Sequence, residues 1–216
     1  MNSLFAQEGR YIFDAYSVND GLSQSFVSDI IQDNQGFMWI ANRDGVNRFD
    51  GYVFNEYRFK TSEQNNKGEG KGNLVANSSS GVRAVINRFD LKGYKGYSFF
   101  KNSRQQLLMA HNNGLSVYDP YRNTFRMVLE DTSYINERER DWSVKFKIIG
   151  EDTASHSLWV WRPLKGLYAL DDRTYAIKRI ILYPPQISKR GLVPRDIILD
   201  GSLVWMNFEP GELLAL

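Results

Sequence analysis

Short apolar runs recur along the whole chain and are separated by polar turn residues. Each run is about four to eight residues long, is rich in β-branched or aromatic residues, and is bounded by Gly, Asn, Asp or Pro, which is typical of β-strands. No stretch keeps a helical apolar period for three turns, so long amphipathic helices are not expected. The clearest predicted strands are Tyr11–Tyr16, Phe37–Ile40, Tyr52–Tyr57, Leu107–Ala110, Leu158–Trp161 and Ser202–Met206.

A glycine-centred hairpin occurs four times in the chain. Each copy has an apolar strand, a turn that ends in glycine and a second apolar strand, and the first three close on aspartate. Glycine suits the turn because it adopts positive φ at little cost, and aspartate suits a turn start because its side chain can bond its own backbone. The glycines are Gly45, Gly114, Gly166 and Gly211, and the aspartates are Asp50, Asp119 and Asp171.

The strands around these hairpins favour a β-propeller. Val27–Asp33 and Tyr52–Phe59 flank the first hairpin, and Val144–Ile149 and Tyr175–Leu182 flank the third, so each unit has four strands. The last glycine-to-glycine spacing is 45 residues, close to the ~40–45 residues of a four-stranded blade. We therefore predict an all-β fold, a partial β-propeller of about four blades. A β-sandwich with accidental similarity between hairpins stays open, because strand spacing alone does not separate the two.

The chain divides into a short leader and a propeller. Residues 1–10 are interpreted as the remnant of a signal peptide or a disordered start, and residues 11–216 as the partial propeller. A polar insertion near 60–81 has the composition of a flexible loop, and its Gly-Lys run lacks the spacing of a phosphate-binding loop. Residues 130–145 are polar enough for a short helix or a long loop, and we favour the loop.

Overall composition is that of a globular protein, with 42% hydrophobic and 24% charged residues. The net charge of +2 gives no electrostatic reason to expect nucleic acid as a partner. Cysteine is absent, which excludes disulfides, zinc–thiolate sites and thiol nucleophiles. Since no apolar run approaches membrane-spanning length, no membrane contact is expected within this segment.

Enzymatic chemistry has no candidate residues in this sequence. The two histidines, His111 and His156, fall in unrelated turns without carboxylates at a metal-ligand spacing. No nucleophile elbow and no convergent pair of acids is apparent. We therefore predict no catalytic residue, no metal, no cofactor and no enzyme activity in this chain, although propellers as a class also include glycosidases and lyases.

Ligand binding is better supported, because the turns between the second and third strands of successive blades lie on one face of a propeller. Polar residues in those turns, with a nearby tryptophan ring to stack on sugars, could form a binding rim. Ordinary solvated turns remain an alternative, and so does burial of Trp39, Trp159, Trp205 and even Trp161 in the sheet core. The candidate ligand-binding residues are Arg43, Asp44, His111, Asn112, Trp161, Arg162 and Glu209.

The strongest family signal lies between Asn19 and Tyr52. The motifs there are Asp20-Gly-Leu-Ser, Gln32-Asp33, Gly36, Trp39-Ile40, Asp44-Gly45 and Asn47-Arg-Phe-Asp-Gly-Tyr. This stretch closely resembles the opening of two-component regulator propellers, the periplasmic sensor regions of hybrid two-component systems common in Bacteroidetes. Two departures are Ala41-Asn42 in place of the usual Gly-Thr, and Met109-Ala110 in the second unit where the family has a tryptophan.

The resemblance implies a periplasmic sensing segment of an inner-membrane receptor that responds to an oligosaccharide or similar nutrient. A histidine kinase would belong to the full-length receptor, and none is visible in this chain. The alternatives are a glycan-active lyase or hydrolase and a protein-interaction scaffold.

Receptors of this kind are much longer, so we expect an N-terminal fragment or a truncated product. The expected partners are the ligand and either further blades or a second receptor copy, as in a homodimer. Alone, the chain is expected to be marginally stable, to self-associate and to bind ligand weakly.

Overall fold

The computed structural model describes residues 13–42, 45–59, 74–77, 83–89, 97–111, 114–130, 146–162, 165–188, 194–201, 203–208 and 211–215. Their secondary structure is almost entirely β. The two helical turns among them are a 3₁₀ turn at Val18–Asp20 and a four-residue helix, α1, at Pro185–Ser188. The all-β class predicted from the sequence is therefore confirmed.

The described strands form four sheets in chain order. The first sheet contains β1 (Val27–Gln32), β2 (Met38–Asn42), β3 (Gly45–Phe49), β4 (Phe54–Phe59), β5 (Leu74–Asn77) and β6 (Arg83–Phe89). The second contains β7 (Ser98–Lys101), β8 (Leu107–His111), β9 (Gly114–Asp119) and β10 (Thr124–Glu130). The third contains β11 (Lys147–Asp152), β12 (Ser157–Arg162), β13 (Gly166–Asp171) and β14 (Ile177–Leu182), and the fourth β15 (Pro194–Asp200), β16 (Leu203–Phe208) and β17 (Glu212–Ala215).

Each sheet is built on an antiparallel meander, and its first strand contacts the first strand of the next sheet. The first strands β1, β7, β11 and β15 thus contact one another in chain order. This is the arrangement of about four consecutive blades of a β-propeller, as predicted. A two-sheet sandwich does not account for it, because the second and third sheets are buried on both faces.

Three apolar cores hold the stack together, one between each pair of successive sheets. Trp39, Tyr118 and Phe125 centre the core between the first and second sheets. Leu115, Phe146 and Leu158 centre the next, and Trp159, Met206 and Phe208 the third. Burial on both faces explains why the middle of β12, residues 158–161, is continuously apolar rather than alternating.

The hairpin glycines occupy equivalent places in three sheets. Gly114 and Gly166 have φ of +148° and +140°, and an added Cβ would lie 1.9 Å from the Leu129 carbonyl oxygen and 2.0 Å from that of Ile181. Glycine is therefore required at both positions for two reasons: the fourth strand approaches too closely for a Cβ atom, and φ is positive. In the fourth sheet the glycine lies one residue before the third strand, and Phe208 pairs with Glu212 rather than with Gly211.

The closing aspartates cap the next turn in each of the first three sheets. Asp50 Oδ1 accepts the backbone N–H groups of Tyr52 and Val53 at 2.9 and 2.7 Å. Asp171 accepts those of Arg173 and Thr174, and these bonds together with the Thr174 hydroxyl lower the pKa of its carboxyl to about 2. The turn-starting role predicted from the sequence is confirmed.

Two parts of the strand prediction differ from the structure. The predicted strand Tyr11–Tyr16 is wrong over residues 13–16, which form no strand. The Tyr16 ring instead packs against the outer face of the first sheet. Strand β5 lies inside the segment 60–81 that its composition marks as a loop, and β6 pairs in parallel with β4. The remainder of 60–81, the leader 1–10 and residues 131–145 lie outside the described residues.

Candidate functional site

Strands β2, β8, β12 and β16 each lead into the third strand of their sheet, and in a propeller these strand ends share one side, which we call the hairpin end. All seven predicted binding residues fall in the turns at these strand ends or on the strands that enter them. Arg43, Asp44, Asn112 and Glu209 lie outside the described residues. The described members are His111, Trp161 and Arg162, and all three are buried.

The last residue of the second strand occupies the same register position in every sheet. Asn42, His111, Arg162 and Phe208 are each directly followed by the turn and pair with the start of the third strand or stand beside it. All four are buried. Three of the four are polar, so a row of buried polar side chains lies at the hairpin end of the first three sheets.

In the first sheet this polar position forms a three-residue network. Asn42 Nδ2 donates to Ser23 Oγ at 2.5 Å and to Asn47 Oδ1 at 2.9 Å. Ser23 also donates to Asn47 Oδ1, from its hydroxyl at 2.6 Å and its backbone N–H at 3.2 Å. The network joins the Asp20-Gly-Leu-Ser motif to the hairpin, which gives that motif a structural role.

His111 is the corresponding residue of the second sheet. Its Nε2 lies 3.3 Å from Ser116 Oγ, and its backbone carbonyl accepts the N–H of Phe146, at the start of the third blade, at 3.0 Å. Burial lowers the pKa of the imidazole to about 3, so the ring is neutral at physiological pH. The imidazole is thus a neutral, fully buried group beside Ser116, while the backbone carbonyl of His111 makes the contact to the next blade.

Arg162 is the corresponding residue of the third sheet. Its guanidinium carbon lies 4.6 Å from the centroid of the Phe146 ring, a cation–π contact between neighbouring strands. The guanidinium places a positive charge at the hairpin end of the third sheet.

Trp161 points to the opposite side of the same strand. Its ring is buried in the core between the third and fourth sheets, and its indole N–H donates to the Tyr183 hydroxyl. Burial raises the pKa of Tyr183 to about 12, so the phenol remains a neutral partner. The ring face of Trp161 is therefore covered by protein, as its strand parity with the buried Trp159 allows.

Sequence reasoning missed Ser23, Asn42, Asn47 and Ser116. A positional signal was available, because Asn47 follows Gly45 by two residues and Ser116 follows Gly114 by two residues. A polar residue at that place in an otherwise buried strand indicates a network rather than solvent exposure. Among the described residues no group of three or more His, Asp or Glu side chains comes together in a way that could hold a metal.

The chain is similar in fold to the extracellular domain of a bacterial protein of known structure. The chain aligns with the extracellular domain of BT4673, described as a one component system, from B. thetaiotaomicron, with a TM-score of 0.57, 17% identity, and coverage of 88% of this chain and 24% of that one. A second BT4673 structure, described as a hybrid two component system, gives a TM-score of 0.49 at 14% identity, covering 88% of this chain and 31% of that one. The corresponding domain of BT3049 gives 0.38 at 16% identity, covering 94% and 30%.

Of these three alignments, the first has the highest TM-score and shows a shared fold. In sequence, 56 residues are 50% identical to Histidine kinase P4 of Formosa agariphila, covering 26% of this chain and 4% of the kinase. No protein-family model matches. The chain thus spans a small part of the proteins it resembles, and the predicted resemblance to the extracellular regions of two-component receptors is confirmed. Within the described residues, no helix has the length and apolarity needed to cross a membrane.

Proposed function

We propose that this chain, whose fold is that of the extracellular domain of a bacterial signalling receptor, is a sensing segment and not a catalyst. The observation that carries the proposal is the structural alignment over 88% of the chain with the BT4673 domain. The sequence match to a histidine kinase supports the same receptor context. In that context the segment lies in the periplasm, as part of an inner-membrane receptor whose kinase is elsewhere.

The hairpin end is the proposed ligand surface. Its turns carry Arg43, Asp44, Asn112 and Glu209, whose charges and amide suit the hydroxyl groups of a sugar. The buried polar row of the first three sheets lies at the same end, and Arg162 adds positive charge there. The ligand class we propose is an oligosaccharide or a similar polar nutrient.

Ligand-observed NMR with a panel of defined oligosaccharides tests this proposal, because it detects weak binding. At least one glycan should give a saturation-transfer signal that disappears in the variant Arg43→Ala with Asp44→Ala. The matched control is Arg122→Ala, which removes an exposed arginine from the β9–β10 turn at the opposite end of the stack. The control should bind as the unaltered chain does.

Three results would count against the proposal. Absence of any glycan signal would remove the ligand class, and equal loss of signal in Arg122→Ala would remove the hairpin end as the site. New reducing ends or unsaturated products after incubation would favour the alternative of a lyase or hydrolase.

A further inference from the structure

The turns between the third and fourth strands present a side chain at the same position in the first three sheets. In each turn the closing aspartate accepts, through Oδ1, the backbone N–H of the residue two positions later. These bonds join Asp50 to Tyr52, Asp119 to Tyr121 and Asp171 to Arg173, at 2.9, 3.0 and 3.1 Å. The three turns begin with the same local hydrogen bond, so the residues after it correspond. We call Tyr52, Tyr121 and Arg173 the turn row.

Both tyrosine rings of the turn row are exposed to solvent. Tyr52 is 82% and Tyr121 99% exposed, whereas Tyr118 and Phe125, on the strands that flank the second turn, are buried. The rings lie at strand ends and not on the sheet faces that pack against one another. A ring without protein atoms around it adds little to folding stability, so folding does not account for an aromatic residue at either place.

The turn that carries Tyr121 is held against the first sheet. Asn123 has a left-handed backbone, with φ of +52°. Its Oδ1 accepts the hydroxyl of Tyr57 on β4 at 2.7 Å and Nη1 of Arg48 on β3 at 3.1 Å. These bonds fix the second turn relative to the first sheet, which carries Tyr52. Two rings on fixed supports lose little conformational freedom when a ligand binds them.

The surroundings of the rings favour a sugar chain as the ligand. Each ring stands near small or charged residues, such as Gly51 and the exposed Arg122, and so the two rings are separate apolar spots rather than one contiguous apolar patch. A tyrosine ring has a flat apolar face and a polar hydroxyl, which matches the C–H face and hydroxyl rim of a pyranose. Because packed sheets lie about 10 Å apart, a ligand that reaches both rings must be an extended chain.

We propose that Tyr52 and Tyr121 form a binding site for a linear polysaccharide, in which two sugar rings of one chain stack on the two tyrosine rings. Arg173, whose side chain is 72% exposed, extends the site with hydrogen-bond donors for sugar hydroxyls. The site is separate from the hairpin end, since consecutive turns of an antiparallel meander alternate between its two ends. One stacking contact is weak, so affinity depends on a single chain engaging both rings.

Biolayer interferometry on end-attached xylan, laminarin, amylose and hydroxyethylcellulose tests this proposal. At least one of these polysaccharides should bind the unaltered chain. Tyr52→Ala and Tyr121→Ala should each raise the apparent Kd by about tenfold, and the double variant should show no binding. Replacing both tyrosines by phenylalanine keeps the stacking faces, so that variant should bind as the unaltered chain does. Phe13→Ala is the matched control, because Phe13 is 89% exposed and lies outside the turn row.

Competition in solution tests whether one chain engages both rings. A free hexasaccharide of the bound polysaccharide should displace the protein, and the corresponding disaccharide at the same concentration should not. Equal competition by the two would overturn the two-ring site.

Three further results would overturn the proposal: no binding to any of the four polysaccharides, unchanged binding by the double alanine variant, or an equal loss in Phe13→Ala. The hairpin-end variant Arg43→Ala with Asp44→Ala should bind the polysaccharide normally, and loss of binding there would assign the polysaccharide to the hairpin end instead. Because the two sites are tested by different variants, failure of the turn row leaves the proposed sensing site untouched.

Discussion

The outer faces of the first and fourth sheets carry similar apolar residues but differ in whether those residues are covered. The outer face of the first sheet is covered by the segment 13–24, which has no sheet structure of its own and covers Phe49 and Phe54 with Tyr16 and Leu22. The outer face of the fourth sheet has no such cover among the described residues, and Trp205 is partly exposed there. The stack thus has one closed end and one open end.

The difference shows that strand sequence alone does not decide burial. Trp39 and Trp205 share a register position and an apolar setting, yet Trp39 is fully buried between two sheets. A large aromatic side chain contributes to stability only when partner atoms enclose it. The contribution of each residue to folding stability therefore depends on which neighbouring sheet packs against its face.

The largest expected effect comes from truncating these two tryptophans. Trp39→Ala should lower the free energy of unfolding by about 3–5 kcal/mol, because it empties a fully buried site and leaves the Asp33 carboxylate without the indole N–H that it accepts at 2.7 Å. Trp205→Ala should cost about 1 kcal/mol or less. Urea unfolding followed by far-UV circular dichroism measures both, and equal losses would contradict the comparison.

A smaller effect is expected from opening the closed end. Leu22→Ala should cost about 2–3 kcal/mol, since it removes a buried side chain from the cover over the first sheet. The same variant should bind more of a hydrophobic dye such as ANS. Val18→Ala is the matched control, because Val18 lies in the same segment and is exposed; it should change stability by less than about 0.5 kcal/mol. If Leu22→Ala behaves like Val18→Ala, the segment does not act as a cover.

The smallest effect concerns His111, whose counterpart in the fourth sheet is the apolar Phe208. Burial lowers the pKa of His111 to about 3 in the folded chain, against about 6.5 when unfolded. Below pH 6.5 the His111 imidazole binds a proton in the unfolded chain but not in the folded chain. The free energy of unfolding therefore falls as the pH drops toward 3. The loss should reach about 1 kcal/mol by pH 5.5.

Replacing the imidazole separates this contribution from other acid effects. In His111→Gln, urea midpoints should fall less between pH 7 and pH 5 than in the unaltered chain. His156→Gln is the control for replacing a histidine at an exposed position, because the His156 side chain is 61% exposed. The same slope in all three proteins would show that His111 does not titrate as its burial requires.

Much of the candidate site was predictable, but its accessibility was not. The repeat placed seven residues in or beside successive hairpins, and the described strands do pair as a hairpin at each of these four places. The depth of each side chain depends on the neighbouring sheet, which no local pattern contains. His111 and Arg162 are therefore buried, His111 beside Ser116 and Arg162 over the Phe146 ring.

The sequence by itself determined the strands, the tight turns and the aspartate caps, as at Gly114 and Asp171. These features depend on interactions within a few residues, namely the φ that glycine allows and the hydrogen bonds that aspartate makes to its own turn. Only the tertiary structure decided that Trp39 is enclosed while Trp205 is partly exposed, and that residues 13–24 cover a sheet without joining it. Enclosure depends on surfaces far apart in the chain, so it is a property of the stacked sheets rather than of any one segment.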